Sequence, residues 1–141
     1  MNSGVVVALD VGERRIGVAV SDPLGSFSFP HSVIDRTNIR ADLAKIVAIA
    51  DERGAATVVV GYPLTLAGAR GPAAEKMDAF ITALGRTYGG AIERIDERMT
   101  TAAVTTSLVG ADGSRAKRKT VVDKLAAAMI LDTYLARRRN A

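Results

Sequence analysis

The chain has no cysteine and no tryptophan, only one histidine, and just three Phe and three Tyr among its 141 residues. Without cysteine there are no disulfides and no thiolate metal centres. A single histidine, His31, disfavours zinc, and no Ser-His or Cys-His catalytic pair is evident. So few rings leave little material for stacking on bases, so any nucleic-acid recognition should rest on shape or branching. No apolar run approaches the roughly 18 residues a membrane span needs. The short run Val5 to Leu9 ends at Asp10 without a basic flank, unlike a signal peptide. A cytoplasmic protein with no membrane partner is the expectation.

What the chain does contain is 48% apolar residues with only 4% aromatic, so a core of Val, Ala, Leu and Ile is expected. The length suits one domain, residues 1–141. The net charge of +4 is unevenly spread. Residues 1–109 carry 11 basic against 12 acidic side chains, and residues 110–141 carry 8 against 3. Such an excess suits a polyanionic partner, though a solvated loop and tail, Arg137 to Arg139 included, would look the same.

Val5 to Val11 and Ile16 to Asp22 are apolar, β-branched runs joined by Gly12-Glu13-Arg14-Arg15, which reads as a hairpin. After the turn Pro23-Leu24-Gly25, residues 26–34 form a third strand carrying His31, which as a lone histidine reads as structural. The period then changes. Ile39, Leu43, Ile46, Val47 and Ala50 follow helical spacing, and Gly54 stops the helix. Thr57 to Gly61 is a strand, 64–71 a loop, and Pro72 opens a helix reaching Tyr88. Ala91 to Arg98 is a strand, Thr100 or Thr101 caps a helix to Val109, and 110–119 is the expected mobile segment. A last helix spans Thr120 to Arg137. Three antiparallel strands followed by βα units predict an α/β fold, a mixed five-stranded sheet with helices on both faces. No dimer face is legible: Leu66 and Phe27 could be exposed apolar positions, though each is expected in the core.

Asp10 ends a buried strand, where a carboxylate is costly unless it is paired or binds a cation; a turn-capping role before Gly12 is the plain alternative. Asp96 and Glu97 are adjacent in a strand, so only one can share a face with Asp10. Asp123 stands one turn into the last helix, where the macrodipole alone favours an acid. Asp132 lies about half a turn around that helix, so it cannot join the same site. Oxygen ligands from separate elements, without cysteine, suit a hard cation such as Mg²⁺ or Mn²⁺.

Four segments in order resemble the YqgF/RuvX family, the Holliday-junction-resolvase-like branch of the RNase H-like fold. They are Ala8-Leu9-Asp10-Val11-Gly12 with Ile16 to Asp22; Val60-Gly61-Tyr62-Pro63-Leu64; Asp96-Glu97-Arg98-Met99-Thr100-Thr101; and Lys117 to Lys119 leading to Asp123, Ala126-Ala127 and Ile130-Leu131. The resemblance implies an RNase H-like fold and a catalytic, metal-binding triad of Asp10, Glu97 and Asp123. It implies a nuclease acting on four-way DNA junctions or on small-subunit ribosomal RNA precursors, leaving 5′-phosphate and 3′-hydroxyl ends. Two ions about 4 Å apart, bridged by Asp10, would fit that chemistry. The chain departs from the family at Thr65-Leu66-Ala67-Gly68, where polar residues of the Asn-Met-Asp-Gly kind are usual. Only Thr65 is left there as a polar contact.

Phosphate contacts are expected from Arg14, Arg15, Arg98, Arg115, Lys117, Arg118 and Lys119, with Lys119 nearest the scissile bond. Arg14 and Arg15 could equally be ordinary hairpin residues, and Arg98 could pair with a carboxylate. A junction resolvase makes two symmetric cuts and so implies a homodimer. Two rival readings remain. The Asp-x-Gly hairpin also resembles that of the sugar-kinase, actin and chaperone-ATPase superfamily, which needs a second copy of the fold. The other rival is a non-catalytic nucleic-acid-binding, transcription or ribosome factor on the same fold.

Overall fold

The computed structural model describes residues 4–63, 71–96 and 115–139, excepting the side chains of 115–121. β1 (Val6–Val11), β2 (Arg15–Ser21) and β3 (Ser28–Asp35) form an antiparallel meander. The first turn is tight: the Gly12 N–H donates to the Arg15 carbonyl at 2.8 Å, and a β-carbon at Gly12 would stand 2.9 Å from that oxygen. The Asp22 carboxylate caps the second turn, accepting from the N–H groups of Ser26 and Phe27 at 2.7 and 2.8 Å. β4 (Thr57–Tyr62) lies parallel to β1, and β5 (Ala91–Asp96) parallel to β4, giving the order β3-β2-β1-β4-β5. The carboxyl ends of β1 and β4 therefore lie side by side.

Alternation along the strands sorts the core into two layers. Val7, Leu9, Ile16, Val18, Val58 and Val60 pack against α1 (Ile39–Arg53) and α2 (Pro72–Thr87), through Leu43, Ile46, Met77, Phe80 and Leu84. Val6, Ala8, Ala19, Val59 and Ile95 face α3 (Arg115–Arg139), which contributes Ala127, Ile130, Leu131 and Leu135. α1 is bounded as its sequence dictates. The Asn38 side chain accepts from the Ala41 N–H, and Gly54 closes the helix at φ +64°, a conformation that favours glycine. At the edge, β3 bulges between its pairings with Val18 and Ala19, which leaves His31 without a register partner beside Pro30.

The five-stranded mixed sheet with helices on both faces is therefore as predicted. The boundaries differ in one place that matters. Residues 115–119, expected in the mobile segment, belong to α3, which starts at Arg115 rather than Thr120 and continues to Arg139. Ala and several Lys and Arg residues are strong helix formers, and their charge masked that propensity. The end of α3 is tied down as well: Arg139 donates to the Ser26 carbonyl at 3.0 Å, and Arg138 lies over the Tyr134 ring. The helix expected over 100–109 lies outside the described residues, as does Leu66. Phe27, expected in the core, is 68% exposed, in the connection that leads into β3. Among the described residues, no helix is long and apolar enough to cross a membrane.

Candidate active site

Asp10 lies near the end of the central strand β1, in register with Gly17 of β2. Residues directly opposite in an antiparallel pair share a face, so both belong to the face covered by α3. At Gly17 that helix packs directly on the sheet. A β-carbon on Gly17 would overlap the Asp123 carbonyl oxygen and stand 2.6 Å from its carbonyl carbon. Glycine is thus required here by close backbone approach rather than by an unusual φ. The consequence is that Asp123 of α3 is lodged over the residue that pairs with Asp10.

The Asp123 carboxylate is engaged in turn. Its Oδ2 meets the Arg15 Nε at 3.2 Å, with each side chain 25% exposed. Arg14, next in the hairpin, has an exposed side chain, and its carbonyl accepts from the Arg36 N–H at 2.8 Å.

Asp96 is on the other side of the sheet. Its neighbour Ile95 is buried against α3, so alternation directs Asp96 towards the α1/α2 face, where its register partner Tyr62 also lies. Asp132 is set apart too: it is exposed and accepts from the Ser28 hydroxyl at 2.6 Å. Glu97, Arg98 and Thr65 lie outside the described residues, as do the side chains of Arg115, Lys117, Arg118 and Lys119. Among the described residues no three acidic or histidine side chains gather as a metal cage.

A cleft of about 580 Å³ opens beside Asp10 at the carboxyl ends of β1 and β4, with Gly12, Arg36, Pro63, Lys76 and Phe80 among its lining. Arg36 is held in place: it donates to the Gly12 carbonyl at 2.9 Å, pairs with the buried Asp42 at 3.3 Å and lies over the Phe80 ring. Lys76 is exposed on the rim. Neither Lys76 nor the role of Gly17 was foreseen in the sequence. A glycine inside an apolar strand was the available signal for Gly17, whereas nothing local marks Lys76. His31, read as structural, contacts the Ser32 hydroxyl at 2.7 Å in β3, and burial lowers its pKa below the ordinary value, with the Arg53 charge adding to the effect.

A mixed β3-β2-β1-β4-β5 sheet, with Asp10 near the end of its central strand and a long basic helix bearing Asp123 packed over one face, is the architecture of the RNase H-like class. Comparison with known proteins narrows this. Residues 4–137 match the RuvX family, described as Holliday junction resolvase. A protein of Desulforudis audaxviator named "Putative pre-16S rRNA nuclease" is 43% identical over 135 residues, covering 96% of each chain. A Nitrobacter hamburgensis protein of the same name is 44% identical over 134 residues, 95% of this chain and 82% of that one. The chain belongs to the RuvX family, and its enzyme class is that of a nuclease. Among solved structures it is similar to Thermus thermophilus RuvC in complex with Holliday junction substrate, at TM-score 0.60 and 15% identity with 98% of each chain covered. That likeness concerns the fold.

Proposed function

We propose that residues 1–141 act as one cytoplasmic, divalent-metal-dependent nuclease domain in which Asp10, Glu97 and Asp123 hold Mg²⁺ or Mn²⁺. The observation that carries this reading is the seating of Asp123 over Gly17, the register partner of Asp10. It brings carboxylates from a strand and a helix, 113 positions apart in the sequence, to one end of one sheet face. The donor set fits the ion: carboxylate oxygens suit hard cations, and Asp123 already accommodates the cationic group of Arg15. Two bound ions would activate water and stabilise the leaving 3′ oxygen of a phosphodiester.

The chain's own residues do the positioning. Asp10 and Asp123 would bring negative charge to one face of the sheet. Arg14 at the hairpin tip, Lys76 at the rim of the cleft, and Arg115, Lys117, Arg118 and Lys119 in the first turns of α3 would hold backbone phosphates. Thr65 and Arg98 complete the proposed contacts. Such contacts fix register without reading sequence, which suits a structured or branched substrate. The relatives' names favour precursor small-subunit rRNA as that substrate, and the family description favours a four-way DNA junction. Paired cuts in a junction would call for a homodimer.

The test is to incubate the wild-type protein with precursor 16S rRNA, junction DNA and plain duplex DNA, with Mg²⁺, Mn²⁺ or a chelator. Cleavage of the RNA or the junction, abolished by the chelator, is expected. Binding without cleavage of any of them would overturn the reading in favour of a non-catalytic module.

A further inference from the structure

Asp123 is held from two directions by a single strand. Its backbone rests on Gly17, and its carboxylate is met by Arg15 at 3.2 Å. Arg15 and Gly17 are two residues apart in β2, so they face the same side. Glycine at position 17 lets the helix settle until Asp123 is within reach of the guanidinium. Arg15, expected among the phosphate contacts, meets a carboxylate of the proposed site.

We propose that Arg15 is a positioning residue: its guanidinium holds the Asp123 carboxylate over β2 in place of a divalent cation and yields it when that cation binds. The inference rests on Asp123 being a metal ligand, as proposed above. A partly exposed ion pair of this kind is weak, because water screens it and two side chains must be ordered to make it. A dication attracts the same carboxylate with twice the charge, and it cannot share that oxygen with a guanidinium without repulsion. Until the ion arrives, the pair helps to keep the acidic side chain oriented over β2. Arg15 therefore opposes metal binding slightly while preparing the ligand for it.

The experiment is Mn²⁺ titration of the full chain, without nucleic acid, following free Mn²⁺ by electron paramagnetic resonance. The proteins compared are the wild type, Arg15→Met, Arg15→Lys, Asp123→Asn and the Arg15→Met/Asp123→Asn double variant. Asp123→Asn should weaken Mn²⁺ binding. Arg15→Met should tighten it by about two- to five-fold, the size expected for release of an exposed ion pair. Arg15→Lys should stay near the wild type, and the effect of Arg15→Met should vanish in the Asp123→Asn background. A merely structural Arg15 would give weaker binding on its removal, not tighter. If Asp123→Asn weakens binding while Arg15→Met leaves it unchanged or weaker, the proposal falls and the metal reading stands. If Asp123→Asn has no effect, both fall. Should Arg15→Met fail to fold, Arg15→Gln carries the same expectation.

Discussion

The backbone of Asp123 rests directly on Gly17, so closely that no side chain at position 17 fits beneath it. The contact joins the second strand to the last helix. Because Gly17 pairs with Asp10, the same contact sets the backbone of Asp123 over the register partner of Asp10. Most of what can be tested follows from this junction and from the cleft beside it.

Gly17→Ala should push α3 off the sheet at Asp123. Overpacking of this kind typically destabilises by about 1–3 kcal/mol. Gly85 is the contrasting position, exposed in α2, where an added β-carbon meets only Ile92 at 3.8 Å. Gly85→Ala should stabilise by roughly 0.5–1 kcal/mol through the entropy of the unfolded chain. Urea unfolding of both variants checks the pair, and equal, small effects would contradict the close contact at Gly17.

Much of this architecture is legible in local pattern. β-Branched runs around Gly12 announce the hairpin, helical spacing from Ile39 to Ala50 announces α1, and strand alternation admits only one of Asp96 and Glu97 to the face of Asp10. Helical phase separates Asp132 from Asp123 in the same way. What stays hidden depends on contacts between distant segments. Arg15 reads as one more basic hairpin residue until α3 brings Asp123 to it. Phe27 reads as core because it is apolar, but it stands exposed just before β3. The start of α3 is obscured because Arg115 to Lys119 look like a solvated loop, although their intrinsic preference is helical.

Lys76 stands exposed on the rim of the cleft beside Asp10. Lys76→Ala should weaken binding to structured nucleic acid similarly for every sequence, and lower the slope of log affinity against log salt by about 1. Fluorescence anisotropy at several salt concentrations measures both. An unchanged slope would remove Lys76 from the nucleic-acid path.

His31 gives a pH prediction whose sign follows from its environment. Burial, aided by the Arg53 charge, holds its pKa below the ordinary 6.5. As pH falls through 6.5 the unfolded chain takes up the proton first, so stability declines until the folded histidine is protonated too. The contribution should be less than about 1 kcal/mol, because the side chain is only partly buried. Thermal melts at pH 7.5 and 5.5 should show the decline, and His31→Gln should reduce it. A wild type that gains stability over that interval would contradict this environment.

The central claim is that Asp10 belongs to the metal-binding carboxylate set of a nuclease, and it is tested most directly by comparing cleavage by Asp10→Asn and Asp132→Asn in Mn²⁺. Asp132 is an exposed acid of the same protein, occupied with Ser28, so its variant should cut at close to the wild-type rate. Asp10→Asn keeps the size of the side chain but removes the charge, and its cleavage should fall by about a hundredfold or more. Cleavage by Asp10→Asn at the wild-type rate would contradict the account.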